Sequence, residues 1–389
     1  MTPSIVGAAF LVAAVSVVAA YASWLWTARE RDPPPRRDGA CRREDPEVLI
    51  LVPVYDEAPL IERKLENLEA LTWPAARRRV VVVDGGSTDG TLALAARWIG
   101  GRARYELLQT SHRNKTAQIR DVISSHRAAA WIIVTDADAM LPADTIERMM
   151  DAAAASARVA VVGVRVRPAA AHRLETMHWR ATDWLRHREA LRGSAGIVAA
   201  PCYLARREML AEIPANTVAD DVYVACRAML GGYIVGHADA TVTELRSPRT
   251  LSALLGHKYR KGDAYLREIF RFLPRAFRMR GAARAVFLWR AALLILVPLF
   301  AAAGAVASIA ALVLEPIALS AFHAYAALAA GAGLVLVPPL RAVARSASLA
   351  VVLTMASAAA LLAYPFSRQV ASFPKVLRSH DYPRAEECE

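Results

Sequence analysis

An uncharged run over residues 4–26 constrains this chain most, because it is long enough to cross a bilayer, which takes roughly 20 residues. A cleaved signal peptide is the competing reading, with Ala20-Tyr21-Ala22 as a cleavage-like site. No basic residue precedes the run, whereas Arg29, Arg31, Arg36 and Arg37 follow it. The positive-inside rule then predicts a retained anchor, with its N-terminus outside and residue 30 onward in the cytoplasm.

Three further apolar runs lie at 287–314, 324–340 and 349–366. The middle one holds Gly331 and Gly333, small residues that let helices approach closely. Arg341 and Arg345 stand before the last run, which fits crossings in the order out, in, out. That order leaves Arg368, Lys375, Arg378 and Arg384 outside, so either the tail is tolerated there or one run does not span. No run carries a charge near its middle, which argues against a transporter.

The hydrophobic share of 55% excludes disorder, and its concentration in a few runs excludes a purely soluble protein. The net charge of +12 comes from 48 Lys and Arg against 36 Asp and Glu. These basic residues cluster beside the apolar runs, at 29–43 and 267–290, which favours a membrane surface over nucleic acid. No nucleic-acid-binding motif accompanies them, so no nucleic-acid partner is expected. Cys41, Cys202, Cys226 and Cys388 share no metal-type spacing and read as reduced, incidental thiols.

Residues 47–246 alternate β-rich runs with amphipathic stretches, the signature of an α/β sheet with helical crossovers. The runs at 47–54, 79–84, 131–136 and 160–166 read as buried strands. Helices are expected at about 59–71 and up to about Gly100, the second capped by Ser87 or Thr88. The organisation predicted is an anchor (1–30), a linker (31–46), a catalytic domain (47–246), basic interfacial helices (247–285), membrane helices (286–367) and a tail (368–389). Ligands of open α/β sheets bind beyond the carboxyl ends of the strands. Acids stand at three such ends: Asp56 and Glu57, then Asp84, then Asp136 and Asp138. The paired carboxylates of Asp136-Ala137-Asp138 are hard oxygen ligands suited to Mg²⁺ or Mn²⁺ bridging a nucleotide diphosphate.

These motifs resemble those of membrane-embedded family 2 glycosyltransferases. Val52-Pro53-Val54-Tyr55-Asp56-Glu57 is similar to that family's P-x-Y-N-E opening, with Asp56 in place of Asn. The stretch from Val83-Asp84-Gly85 to Thr91 is similar to V-D-D-x-S-x-D-x-T, with Gly85 in place of the second acid. Asn114-Lys115-Thr116-Ala117-Gln118 sits where the family has G-K-x-x-A-L-N, and Asp136-Ala137-Asp138 matches its D-x-D. Ala219-Asp220-Asp221, then Arg227 and Gly231-Gly232-Tyr233, resembles the acidic E-D motif with its R-x-x-x-x-G-Y trailer. His257 to Gly262 falls where processive members carry Q-x-x-R-W.

The resemblance implies a GT-A type, Rossmann-like mixed sheet facing the cytoplasm, with one N-terminal and about three C-terminal membrane helices. It implies that Pro53, Tyr55, Glu57, Asp84, Lys115 and Asp136 hold a nucleotide-sugar donor, most often UDP-linked. Asp136 and Asp138 would bind Mg²⁺ or Mn²⁺. Asp221, beside Asp220, would act as base on the acceptor hydroxyl, and Arg260 would steady the departing diphosphate. The structural use of Asp220 and Asp221 is to complement a helix N-terminus, and both uses are compatible. Arg260 is expected to turn inward while Phe270, Phe272, Leu273 and Phe277 face lipid. His257 for Gln and Lys261 for Trp weaken a processive reading, so a glycolipid or lipid-linked acceptor in contact with membrane lipids stands level with polysaccharide synthesis. Two alternatives stay open: a polyprenyl-phosphate glycosyltransferase, and a non-catalytic nucleotide-binding scaffold.

Overall fold

The computed structural model describes residues 2–29, 46–314 and 340–366, with the backbone alone over 340–347. Eight strands form one mixed sheet: β1 (Val48–Val54), β2 (Arg78–Asp84), β3 (Tyr105–Gln109), β4 (Trp131–Thr135), β5 (Ala139–Met140), β6 (Val159–Pro168), β7 (Cys202–Arg206) and β8 (Ile234–Glu244). Their order across the sheet is β3-β2-β1-β4-β7-β6-β8-β5. The helices are α1 (Pro3–Trp26), α2 (Ile61–Glu69), α3 (Thr91–Ile99), α4 (Lys115–Ser125), α5 (Thr145–Ala154), α6 (Arg173–Arg192), α7 (Arg207–Leu210), α8 (Asp220–Leu230), α9 (Leu251–Phe272), α10 (Gly281–Leu314) and α11 (Leu340–Ala363).

Successive side chains of a strand point to opposite faces, so a strand with both faces covered must be apolar throughout. β1 is buried along its whole length for this reason. Leu49 and Leu51 pack with Val81, Val83, Ile132 and Val134 beneath α4 and α8. Val48, Ile50, Val52 and Val54 pack with Val80 and Val82 against Ile61, Leu65 and Leu68 of α2. Strands β1 to β4 run parallel, while β7 lies antiparallel to both β4 and β6. Because β2, β1 and β4 are neighbours, the acids following their carboxyl ends gather along one edge.

Among the described residues, two helices are long and apolar enough to cross a membrane: α1 and α10. They lie against each other. A Cβ on Gly7 would come 2.9 Å from Ser308 Oγ, and one on Gly304 would come 3.0 Å from Leu11 Cγ. Small residues at this crossing therefore set the helix spacing. Of the three expected C-terminal crossings, the first is α10, and the last falls on α11, a 24-residue helix whose stretch Ser348–Ala363 is apolar. The run at 324–340, apart from Leu340, lies outside the described residues, as do the side chains of Arg341 and Arg345, almost all of the 31–46 linker, the 368–389 tail, Cys41 and Cys388. Glu189 on α6 ties the sheet domain to both spans: it accepts from Arg290 at 2.7 and 3.0 Å and from the Tyr21 hydroxyl.

α9 differs from the lipid-facing helix expected of its sequence. Phe277 beyond its end is open, but Phe272 is buried against Tyr223, with ring centroids 5.5 Å apart. Leu273 packs on the core and Phe270 meets Tyr364. α9 thus packs on the core of the sheet domain instead of standing apart from it.

Candidate active site

The loop after β1 and the loop after β2 are stitched to each other. Asp56 has a φ of 52°, in the left-handed region that Asp tolerates better than most residues. Its N–H donates to Ser87 Oγ at 2.8 Å, and its Oδ1 accepts from the Thr88 N–H at 2.8 Å. Glu57 N–H donates to Thr91 Oγ1 at 2.7 Å, and its carboxylate takes a two-pronged contact from Arg246, at 2.8 and 2.5 Å. Ser87 and Thr88 therefore do not cap the following helix. Gly90, at φ 95°, precedes α3, and the Thr91 N–H is held by Asp89 at 3.1 Å.

Asp84 ends β2 and is buried. Its Oδ2 accepts from the Gly86 and Ser87 N–H groups, both at 3.0 Å. Its Oδ1 is equally buried and meets no hydrogen-bond donor among the described residues. A buried acceptor left unmade is costly, so this atom fits a donor group brought by a ligand. Tyr55 follows Val54, the residue that pairs with Asp84 across β1 and β2, and has the Arg113 guanidinium 5.3 Å from its ring centre, while Pro53 sits within β1 paired with Val83.

Gly85 departs from the family pattern for a steric reason. A Cβ there would fall 2.4 Å from Gln118 Nε2 and 2.8 Å from the His112 carbonyl oxygen. Gln118 Nε2 is already committed to the carbonyls of His112 (3.0 Å) and Val54 (3.3 Å). Gly85→Ala should therefore lower unfolding stability by about 1–3 kcal/mol through overpacking. Thermal or denaturant unfolding measures this, and an unchanged midpoint would show that the loop relaxes freely.

The remaining candidates meet around one ammonium. Asn114 caps α4 by accepting from the Thr116 and Ala117 N–H groups, which puts Lys115 at the first helical position. Lys115 Nζ lies 2.8 Å from Asp136 Oδ1 and 3.3 Å from Asp220 Oδ2, and donates to the Ala200 carbonyl at 3.1 Å. Asp220 also accepts from the Tyr203 hydroxyl at 2.7 Å. Asp221, the next residue in the first turn of α8, is buried and accepts from the Tyr265 hydroxyl at 3.2 Å. Burial and the adjacent Asp220 charge push its carboxyl up to about 6, against the opposing pull of Lys261 and Lys115.

Asp138 lies on the other side of the turn, between the ends of β4 and β8. Burial, Asp136 and Glu244 push its carboxyl up to about 8, while Arg246 pulls the other way. Burial raises Glu244 as well, with Lys261 opposing. Among the described residues no group of three or more His, Cys, Asp or Glu is arranged as a metal cage. A hard divalent ion bound by one or two carboxylates and completed by substrate phosphates needs no such cage. Two carboxylates whose mutual repulsion raises one of them fit such an ion.

The cations of α9 are sorted by helical phase. Residues three and four apart share a face, so Lys258, Lys261 and Tyr265 look the same way. Lys258 is buried in an ion pair with Glu175 of α6 at 2.5 Å, and Lys261 Nζ stands 5.2 Å from the Trp179 ring centre while acting on Asp221 and Glu244. Arg260 sits about 100° round the helix from Lys261. It is partly buried, which lowers its guanidinium, with Tyr265 opposing. Lys115, Asp136 and Asp220 are thus in direct contact, and Asp221 adjoins them in sequence. Glu57 and Asp138 both answer to Arg246. Glu175, Glu244, Arg246 and Tyr265 were not singled out by sequence, and Lys258 and Lys261 were read there only as part of the motif-like stretch at 257–262. Only the spacing of Lys261 and Tyr265 on one helix face could have pointed to a member of that set.

The chain is similar to known proteins in sequence and in fold. The sequence model described as "Glycosyl transferase family 2" matches residues 49–213. The succinoglycan biosynthesis protein ExoA of Rhizobium meliloti (strain 1021) is 34% identical over 115 residues, 29% of this chain and 34% of that protein. Glycosyltransferase AglE of Haloferax volcanii is 28% identical over 103 residues, 26% of this chain and 34% of that protein. The matches thus span about a third of the length of these relatives. The mannosyltransferase PcManGT from Pyrobaculum calidifontis, solved in complex with GDP-Man and Mn²⁺, shares the fold. Its TM-score is 0.72 at 24% identity, over 93% of this chain and 99% of that one. Residues 49–213, which carry Asp56, Glu57, Asp84, Asp136 and Asp138, are thus the part of this chain that matches glycosyl transferase family 2.

Proposed function

We propose that the chain is an inverting, metal-dependent glycosyltransferase that moves a sugar from a nucleoside-diphosphate donor to a lipid or glycan acceptor at the cytoplasmic face of the inner membrane. One observation carries this reading: a single ammonium, Lys115 Nζ, touches both Asp136 and Asp220, so the donor-side and acceptor-side acids adjoin. Asp84 Oδ1 supplies a buried acceptor for an N–H of the base, and Tyr55 a ring beside it. Mg²⁺ or Mn²⁺ on Asp136 and Asp138 would offset the charge that grows on the departing diphosphate. Lys115 reaches the same region and adds a second positive charge there.

In the transfer, the acceptor oxygen bonds to the anomeric carbon as the bond from that carbon to the diphosphate breaks, the electron pair leaving with the nucleotide. Asp221 takes the acceptor proton. It is the better placed of the two acids, because Asp220 is already held by Lys115 and Tyr203. Attack opposite the leaving group inverts the anomeric centre.

The rate should depend on pH through Asp221. Below about 6 its carboxyl is protonated and cannot accept a proton; above that it can. The acidic limb of the kcat/KM profile, which reports the free enzyme, should therefore lie near 6, above the range of an ordinary exposed aspartate near 3.9. A limb near 4, or none, would remove Asp221 from the proton transfer.

A polyprenyl-phosphate acceptor is the second reading, favoured by Lys258 and Lys261 on the site face of α9. The structurally similar mannosyltransferase was solved with GDP-Man, so both UDP- and GDP-sugars belong in the donor panel. The test is nucleoside-diphosphate release by the detergent-purified chain with UDP-, GDP- and dTDP-sugars and membrane lipids, with mass spectrometry of the lipid product. Release that stops with a chelator supports the reading. No release from any donor overturns it.

A further inference from the structure

Lys64, on α2, is fully buried, yet among the described residues no carboxylate lies within ion-pair distance of it. Its Nζ donates to Thr135 Oγ1 at 2.9 Å and to the Ala139 carbonyl. Those two residues bracket the Asp136–Asp138 turn. One turn of α2 further on, Asn67 Nδ2 donates to the Leu141 carbonyl at 2.8 Å, and its Oδ1 accepts from the Leu141 N–H at 2.8 Å. One helix face thus fastens the segment from 135 to 141 at four polar groups.

The neighbours of Lys64 on that helix, Ile61, Leu65 and Leu68, fill the core without charge. A methionine would fill the same volume and avoid the cost of burying an ammonium. Burial lowers Lys64 to about 8, and the charges of Cys202, Asp136 and Asp138 oppose that shift. What a methionine could not do is hold Thr135 and Ala139 together or place a positive charge behind the two acids.

We propose that Lys64 is a positioning residue for the donor: it fixes the turn so that Asp136 and Asp138 present their carboxylates to one divalent ion, and it offsets their repulsion from behind. The inference rests on the reading of those two acids as the metal pair.

The test is a Mn²⁺ titration of the detergent-solubilised full chain by electron paramagnetic resonance, with UDP and separately with GDP. Wild type, Lys64→Met and Thr135→Val are compared, and thermal unfolding is followed in parallel. Lys64→Met should weaken Mn²⁺–nucleotide binding tenfold or more. Thr135→Val removes one acceptor only and should weaken it about threefold. If Lys64→Met fails to fold, Thr135→Val decides. Lower melting temperatures with unchanged Mn²⁺ affinity, or tighter Mn²⁺ binding by Lys64→Met, overturn the proposal. Wild-type protein that binds no Mn²⁺ with either nucleotide overturns the metal pair itself, and this inference with it.

Discussion

Asp221→Asn should lower the transfer rate by roughly 10²–10⁴-fold, the usual weight of a general base, while Mn²⁺-dependent nucleotide binding stays intact. Asparagine keeps the shape of the side chain and an oxygen for the Tyr265 hydroxyl, which donates at 3.2 Å. What it loses is the capacity to take a proton. The carboxylate is buried beside Asp220, so its removal relieves a like-charge contact, and the variant should melt no lower than wild type. Single-turnover kinetics with a hydroxyl acceptor gives the rate. A phosphate acceptor is already ionised and needs little base, so a variant that keeps most of its activity would favour the polyprenyl-phosphate reading.

Asp138→Ala should lose about 10³-fold in transfer, because charge stabilisation at the diphosphate goes with the ion. Its stability should move the opposite way. Burial beside Asp136 and Glu244 raises Asp138 to about 8 in the folded chain, against about 3.9 unfolded. Between those values the folded form holds a proton that the unfolded form has released. In the metal-free wild type this group therefore costs stability increasingly as pH rises from about 4 to about 8. The alanine variant lacks that term and should melt higher than wild type at pH 7 to 8 without metal. Melting curves at pH 5 and pH 8, with and without Mn²⁺, check the sign. A variant that melts lower at pH 8 would show that Asp138 is a structural acid.

The sheet was legible because its central strands are buried on both faces and so carry continuous Val, Leu and Ile. Strand β1 at Val48–Val54 and β4 at Trp131–Thr135 lie within a residue or two of the sequence reading. The strand β3 (Tyr105–Gln109), half-buried at the sheet edge, lacks such a run and was not singled out. Acids at the strand ends were legible because the parallel order brings those ends together. The partners of those acids were not. Arg246 reaches Glu57 from 189 residues away, and Lys258 of α9 meets Glu175 of α6 only once the chain has folded. Helical phase puts Lys258, Lys261 and Tyr265 on one face of α9, and a motif alignment does not carry phase. Hydropathy found α1 and α10, and its last apolar run falls on α11.

The central claim is that an ion on Asp136 and Asp138 anchors a nucleotide sugar opposite Asp221. A crystal or cryo-EM structure of the full chain with Mn²⁺ and a non-transferable UDP- or GDP-sugar tests it most directly. The account expects density for Mn²⁺ between those two carboxylates and the diphosphate, the base against Asp84 Oδ1, and Asp221 on the far side of the anomeric carbon from the leaving group. A nucleotide bound elsewhere, or an anomeric carbon turned away from Asp221, would contradict it.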